Sequence, residues 1–101
     1  MTGPQLKDLF QLYYDYWDRS WPGLLPEQLP IYLVAEKAGD LQSHERIKHF
    51  KFMCIAGQKF VDGGEIEKAM RWLGFMQGVL WRSDHFTLDQ LKEQSRAKEK
   101  A

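Results

Sequence analysis

The sequence predicts an all-α fold. It should be a small helical bundle built on an antiparallel hairpin of two long helices, about 43–61 and 65–81, with an N-terminal helix packed across it. Three observations carry this. Apolar residues recur at three- and four-residue spacing, and no stretch alternates as a half-buried strand would. Proline and glycine interrupt the pattern at Trp21-Pro22-Gly23 with Pro26 and Pro30, at Gly39-Asp40, and at Asp62-Gly63-Gly64. The chain has 101 residues, 44% hydrophobic and 14% aromatic, which suits one core and excludes disorder by composition.

In the first helix, Leu6, Leu9, Phe10, Tyr13 and Trp17 form one face, and Pro4 sits near the start, where a missing N–H costs least. Residues 21–30 read as an extended connection. Ile31-Tyr32-Leu33-Val34 suits a strand, but a lone short strand has nothing to pair with. Residues 31–38 are therefore read as a short helix closed by Gly39. Ser43 can cap the next helix, whose inner stripe is Ile47, Phe50, Cys54, Gly57 and Val61, and Gly63-Gly64 ends it. Glu65 and Glu67 place acid at the positive end of the following helix, and Ile66, Met70, Leu73, Gln77 and Leu80 share one of its faces. After Phe86, Thr87 and Gln90 match a capping box, and Leu88 and Leu91 would pack the last short helix down. One domain spans 1–94, and the polar segment 95–101 is expected to fray.

Composition excludes several function classes. Lys plus Arg is 14 and Asp plus Glu is 14, so the net charge is zero, which speaks against a dedicated nucleic-acid binder. One cysteine excludes an internal disulfide or a multi-cysteine metal cage, and no metal or cofactor is expected. No apolar run approaches the roughly 18 residues of a membrane helix, and no secretory signal opens the chain, so a cytosolic location is expected. There is no His-Glu-x-x-His, no glycine-rich phosphate loop and no Gly-x-Ser-x-Gly, and an enzyme is not expected. His44, Glu45 and His49 come nearest to a metal or acid–base set, but the two histidines do not share a helix face. Cys54 reads as a small core hydrophobe.

Helix 65–81 is apolar on every side. Ile66, Met70, Leu73 and Leu80 cover one side, and Trp72, Phe75 and Val79 another, as in a helix buried all round. Covering one tryptophan removes on the order of 200 Å² from water. At about 25 cal/mol per Å² that is several kcal/mol, so Trp72 and Trp81 are not both expected in solvent. Either the N-terminal helix and loop cover the second side, or it is an interface, with a partner or in a homodimer formed on Trp72, Phe75 and Val79. Gly74 and Gly78 each cost about 1 kcal/mol relative to alanine. They predict close approach of a second backbone, with Gly57 as its natural partner, or entry of a ligand.

Two further surfaces stand out. Tyr13, Tyr14, Tyr16, Trp17 and Trp21, among Asp8, Asp15 and Asp18, would suit a basic protein partner, and can equally cap the edge of the core. Arg46, Lys48, His49, Lys51 and Lys59, with Phe52 between, form a basic stretch. It reads first as a solvated face, because Arg46, Lys48 and Lys51 do not share one side at about 100° per residue. Joined by Arg71, these three cations are the candidates for a nucleotide or other phosphorylated ligand, and the basic helix itself for nucleic acid. Glu67 and Arg71 form a stabilising i, i+4 pair.

The segment from Glu67 to Glu93 contains Arg71-Trp72-Leu73-Gly74-Phe75-Met76-Gln77-Gly78-Val79-Leu80-Trp81, followed by Phe86-Thr87-Leu88-Asp89-Gln90-Leu91-Lys92. It resembles the C-terminal end of small accessory proteins of tailed bacteriophages, in which a Trp-Leu-Gly-Phe-x-Gln-Gly-x-Leu-Trp helix precedes a Thr-x-Asp-x-Leu cap. The resemblance covers about a quarter of the chain. It implies a phage source more than a mechanism. The expectation that follows is a non-enzymatic binding protein in the cytoplasm of the infected bacterium. Such a protein would engage and inhibit or redirect a host protein of defence, transcription or replication, contacting it through the aromatic first helix.

Overall fold

The computed structural model describes residues 1–28 and 43–100. The short helix expected at 31–38 and the Gly39-Asp40 stop lie outside the described residues. Those described form four helices: α1 (Gly3–Ser20), α2 (Ser43–Asp62), α3 (Ile66–Arg82) and α4 (Leu88–Lys100), with no strand among them. None of the helices is long and apolar enough to cross a membrane.

Local chemistry sets each boundary. Thr2 caps α1 through a capping box: Gln5 N donates to Thr2 Oγ1 at 3.3 Å, and Thr2 N donates to Gln5 Oε1 at 2.7 Å. The same box starts α4 as the sequence predicts, with Gln90 N to Thr87 Oγ1 at 3.1 Å and Thr87 N to Gln90 Oε1 at 2.8 Å. Helix α2 already includes Ser43 as its first residue, and what precedes it lies outside the described residues. Its far end closes in a Schellman motif. Gly64 takes φ +81°, its N–H donates to Val61 O at 3.0 Å, and Glu65 N donates to Phe60 O at 2.8 Å. Only a residue without Cβ adopts that φ without strain, so Gly64 fixes the turn between α2 and α3. Helix α4 runs to Lys100, through the polar segment expected to fray.

Helices α1 and α2 pack antiparallel. Lys7 Nζ meets Asp62 Oδ1 at 2.7 Å, Gln58 Nε2 donates to Gln11 Oε1 at 3.1 Å, and Trp17 lies edge-on to Phe50, ring centroids 5.4 Å apart. Helix α3 returns along α2, with Trp72 edge-on to Phe60 at 4.7 Å. Thus α1 lies across the α2–α3 hairpin as predicted, and α4 packs beside α1 and reaches α3 where Gln77 Nε2 donates to Ser95 Oγ at 3.5 Å. The core contains every residue of the predicted α1 stripe: Leu6, Leu9, Phe10, Tyr13 and Trp17 are all buried. Ile47, Phe50, Cys54, Leu73, Met76 and Leu80 meet them from α2 and α3.

Two packing expectations fail. Gly57 does not approach Gly74 or Gly78. It faces Phe10, and a Cβ built on it would sit 2.3 Å from the ring. Gly57 is glycine because an aromatic ring from α1 occupies the space beside it. Gly74 and Gly78 point the other way, into open space, with nothing within 4 Å of an added Cβ. Met70, placed by the sequence on the inner face of α3, is exposed, and Ala69 and Met76 take the buried positions instead. The buried arc of α3 is centred one residue away from the expected one.

Cys54 is fully buried, and desolvation pushes its thiol far above the usual range. It behaves as a core hydrophobe. Ellman's reagent is expected to react with native chain only as fast as the chain unfolds, and at once in guanidinium. Rapid labelling of native protein would contradict this packing.

Candidate functional site

The aromatic first helix does not present the surface expected of it. Tyr13 and Trp17 are buried, because positions 13 and 17 continue the stripe begun by Leu6 and Phe10. The Tyr13 hydroxyl donates to Gln94 Oε1 at 2.9 Å and accepts from Gln77 Nε2 at 3.1 Å, which ties α1 to α3 and α4. Desolvation raises its pKa. Tyr14 and Tyr16 are half-buried, and only Trp21 of the five is exposed. Tyr13 and Trp17 thus belong to the core itself, and Tyr14 and Tyr16 cap its edge.

The basic candidates are dispersed. Lys51 is completely buried, and its ammonium donates to Asp18 Oδ1 at 3.0 Å, Trp21 O at 3.2 Å and Leu24 O at 2.7 Å. All three of its donors are engaged within the chain, so Lys51 is not a phosphate ligand. What it holds is the turn Trp21-Pro22-Gly23-Leu24, in which Gly23 takes φ +81° and Leu24 N donates to Trp21 O at 3.3 Å. Lys48 pairs with Glu27 at 3.4 Å, and Glu27 N donates to Lys48 O at 3.1 Å. Arg46 lies at the start of α2, whereas Arg71 is on the exposed side of α3. The four cations do not converge. His44 is exposed, and His49 stacks on Phe52 at 5.8 Å with its pKa lowered by burial. No metal-holding group of His, Cys, Asp or Glu forms among the described residues.

A cleft of about 360 Å³ opens where the end of α1, the start of α2 and the end of α3 meet. Its apolar wall is Trp21, Ile47, Phe50 and Val79, and its polar groups come from Trp17, Arg46, Ser83 and His85. The α3 terminus positions the last two. Asp84 occupies the left-handed position of a second Schellman motif at φ 62°, with Asp84 N to Trp81 O at 3.1 Å and His85 N to Leu80 O at 2.9 Å. The chain is thereby folded back over α1. Tyr16 Oη and His85 Nδ1 are 2.7 Å apart, and the His85 ring stands edge-on to Trp17 at 4.6 Å. Trp17 Nε1 is buried with no hydrogen-bond partner.

No family model, curated protein or solved structure matches the chain.

The second surface is the outer side of α3. Met70, Gly74, Gly78 and Trp81 fall along one side of the helix, with Phe75 beyond them and Leu88 across the groove on α4. Met70 is 51% exposed, Phe75 60%, Trp81 48% and Leu88 51%. A groove of about 430 Å³ runs beside Gly78 between α3 and α4, and its charged residues are Lys92 and Arg96. Of the expected self-association residues, Trp72 and Val79 are half-buried against the chain's own core, leaving Phe75 outside. Trp72 and Trp81 are, as expected, not both in solvent: Trp72 is half-buried, and Trp81 is the exposed one.

Sequence reasoning missed the cleft because Ser83 and His85 belong to a turn and carry no periodic signal. It also missed the role of Lys51, for which a signal existed. Position 51 is four residues from Ile47 and three from Cys54, so its side chain shares their inner stripe.

Proposed function

We propose that this chain is a non-enzymatic binding protein that engages a second protein through the α3–α4 face. The observation that supports it is the uncovered strip of Met70, Gly74, Gly78 and Trp81, joined by Phe75 and Leu88. Contiguous exposed apolar side chains of this size mark interaction sites on small proteins. The two open glycines favour a partner helix, because they let another backbone approach closely. Lys92 and Arg96 at the groove favour an acidic flank on that helix. The resemblance of residues 67–93 to phage accessory proteins adds the setting: a bacterial host protein, engaged in the cytoplasm of the infected cell and inhibited or redirected. The contact surface proposed from the structure thus moves from the aromatic α1 to α3 and α4.

The test begins with light scattering over a dilution series and proceeds to capture from bacterial lysate. The captured protein is then purified and titrated by calorimetry. The chain is expected to be monomeric. Trp81→Asp and Gly78→Arg are expected to weaken the titrated complex at least about tenfold, the range of an interface hot spot, without lowering thermal stability. A dimer that Trp81→Asp dissociates would overturn the reading in favour of self-association. Unchanged affinity in both variants would remove the face from the contact.

A further inference from the structure

The chain has no net charge, but its charges are segregated. Helix α1 carries Asp8, Asp15 and Asp18 against Lys7 and Arg19, whereas α3 has no acidic residue from Arg71 to Arg82. Arg71, Gly74, Gly78 and Arg82 follow one another at three- and four-residue spacing. The two open glycines therefore lie between the two arginines on one side of α3. Both arginines are exposed, and neither forms an ion pair or hydrogen bond among the described residues. The pair of Glu67 with Arg71 expected from the sequence is not formed. Lys68 is turned away, its ammonium 4.3 Å from the centre of the Phe60 ring. Across the groove, Arg96 meets Glu93 at 3.5 Å, and Lys92 has no counter-charge among the described residues. Solvated cations are ordinary on any surface. Here they fall on both edges of one strip of open apolar side chains, Arg71 and Arg82 on one edge and Lys92 on the other.

Resting on the reading of this face as a protein contact, we infer that the partner segment is an amphipathic helix with carboxylates on both edges of a small-residue stripe. Arg71 and Arg82 are eleven residues apart, which is about 16 Å along the helix axis. A helix lying along α3 has the same rise, so its matching carboxylates are also about three turns apart. Between them it carries alanine or glycine against Gly74 and Gly78, where larger side chains would hold the two backbones apart. Its other edge brings a carboxylate to Lys92. Arginine on the α3 edge suits this role, because a guanidinium holds a carboxylate by two parallel bonds. A phosphate backbone also answers the arginines, but it gives no aliphatic cover to Met70 and Leu88, both about half exposed.

The probes are two blocked peptides of about 20 residues, long enough to be helical, with the same alanine and leucine stripe. One has glutamate along both edges and the other glutamine. Each is titrated by calorimetry into the full chain. The glutamate peptide is expected to bind at least about tenfold tighter, because a pair at a wet rim is worth roughly two- to fivefold and three act together. Arg71→Gln combined with Arg82→Gln should remove most of that preference and Lys92→Gln the rest, while the glutamine peptide binds as it does to wild type. All three side chains are exposed, so these changes leave the fold intact, and unchanged thermal melts check it. Trp81→Asp should weaken both peptides, since it strikes the apolar contact they share. Equal affinity for the two peptides overturns the inference and leaves the α3–α4 face standing. A glutamate preference that survives the paired arginine changes also overturns it, since other cations then read the glutamates. Failure of both peptides to bind wild-type chain overturns the helical partner. Binding that Trp81→Asp leaves intact overturns the underlying reading instead, because the contact then lies off the strip. A single-stranded oligonucleotide that displaces the glutamate peptide would assign the arginines to phosphate and overturn the partner class.

Discussion

Gly57→Ala is expected to destabilise the chain and Gly78→Ala to stabilise it, although both glycines sit in helix interiors. Alanine in place of glycine adds about 1 kcal/mol of helix stability wherever the methyl finds room. At position 78 it finds open space, with nothing within 4 Å, and the same holds at 74. Each change should then raise the melting temperature by about 5 °C in a domain of this size. At position 57 the methyl would lie 2.3, 2.4 and 2.7 Å from three atoms of the Phe10 ring. Phe10 is itself wholly buried, and a ring has no flexible end to swing aside. Overpacking of this kind costs roughly 1–3 kcal/mol, and three simultaneous clashes put it at the upper end. The net expectation, after the helix gain, is a loss of about 2 kcal/mol. Thermal melts by circular dichroism decide it, and Phe10→Leu in the Gly57→Ala background should recover part of the loss. If Gly78→Ala destabilises as much as Gly57→Ala, α3 has a close neighbour that the structure does not place there.

The contrast between these glycines shows where the sequence was legible. The spacing of Leu6, Leu9, Phe10, Tyr13 and Trp17 shows the buried face of α1 in full, because a helix against one neighbour has one stripe to bury. The hairpin was legible too, from Gly63-Gly64 between two periodic stretches. The outer side of α3 was not. Its all-round apolarity has two physical causes that look alike in sequence: cover by the same chain, as at Trp72 and Val79, and an uncovered strip, as at Phe75 and Trp81. Glycine has the same ambiguity. Gly57 marks a ring held against the helix and Gly74 and Gly78 mark an open groove, and only the position of the neighbouring helix separates them. The cleft at Trp17 was invisible for a third reason. It is made by three segments distant in sequence, and one of its key facts is an absence, the missing acceptor for Nε1.

Lys51→Met should lower stability by about 3 kcal/mol and loosen residues 21–24, the largest effect expected from any charged residue in the described structure. Replacing a buried charge by an apolar group is often neutral, because desolvation of the ion offsets its pairing. That argument requires that the partners go as well, and here they stay. Asp18 is 52% exposed, so water takes over its carboxylate and little of the loss lies there. The carbonyls of Trp21 and Leu24 are different. They project at the ammonium from a turn that Lys51 alone ties to α2 through side-chain bonds of 3.2 and 2.7 Å. A hydrogen bond to a charged group contributes about 1.5–3 kcal/mol, and methionine keeps the stem while removing both. The exposed pair of Lys48 and Glu27 gives the comparison, since Lys48→Met should change stability by no more than about 0.5 kcal/mol. Chemical denaturation measures the first effect, and chymotryptic cleavage after Leu24 measures the second. Faster cleavage of Lys51→Met under conditions where Lys48→Met stays intact would place the defect in the turn. Wild-type stability and wild-type cleavage together would mean that the turn holds without its clamp.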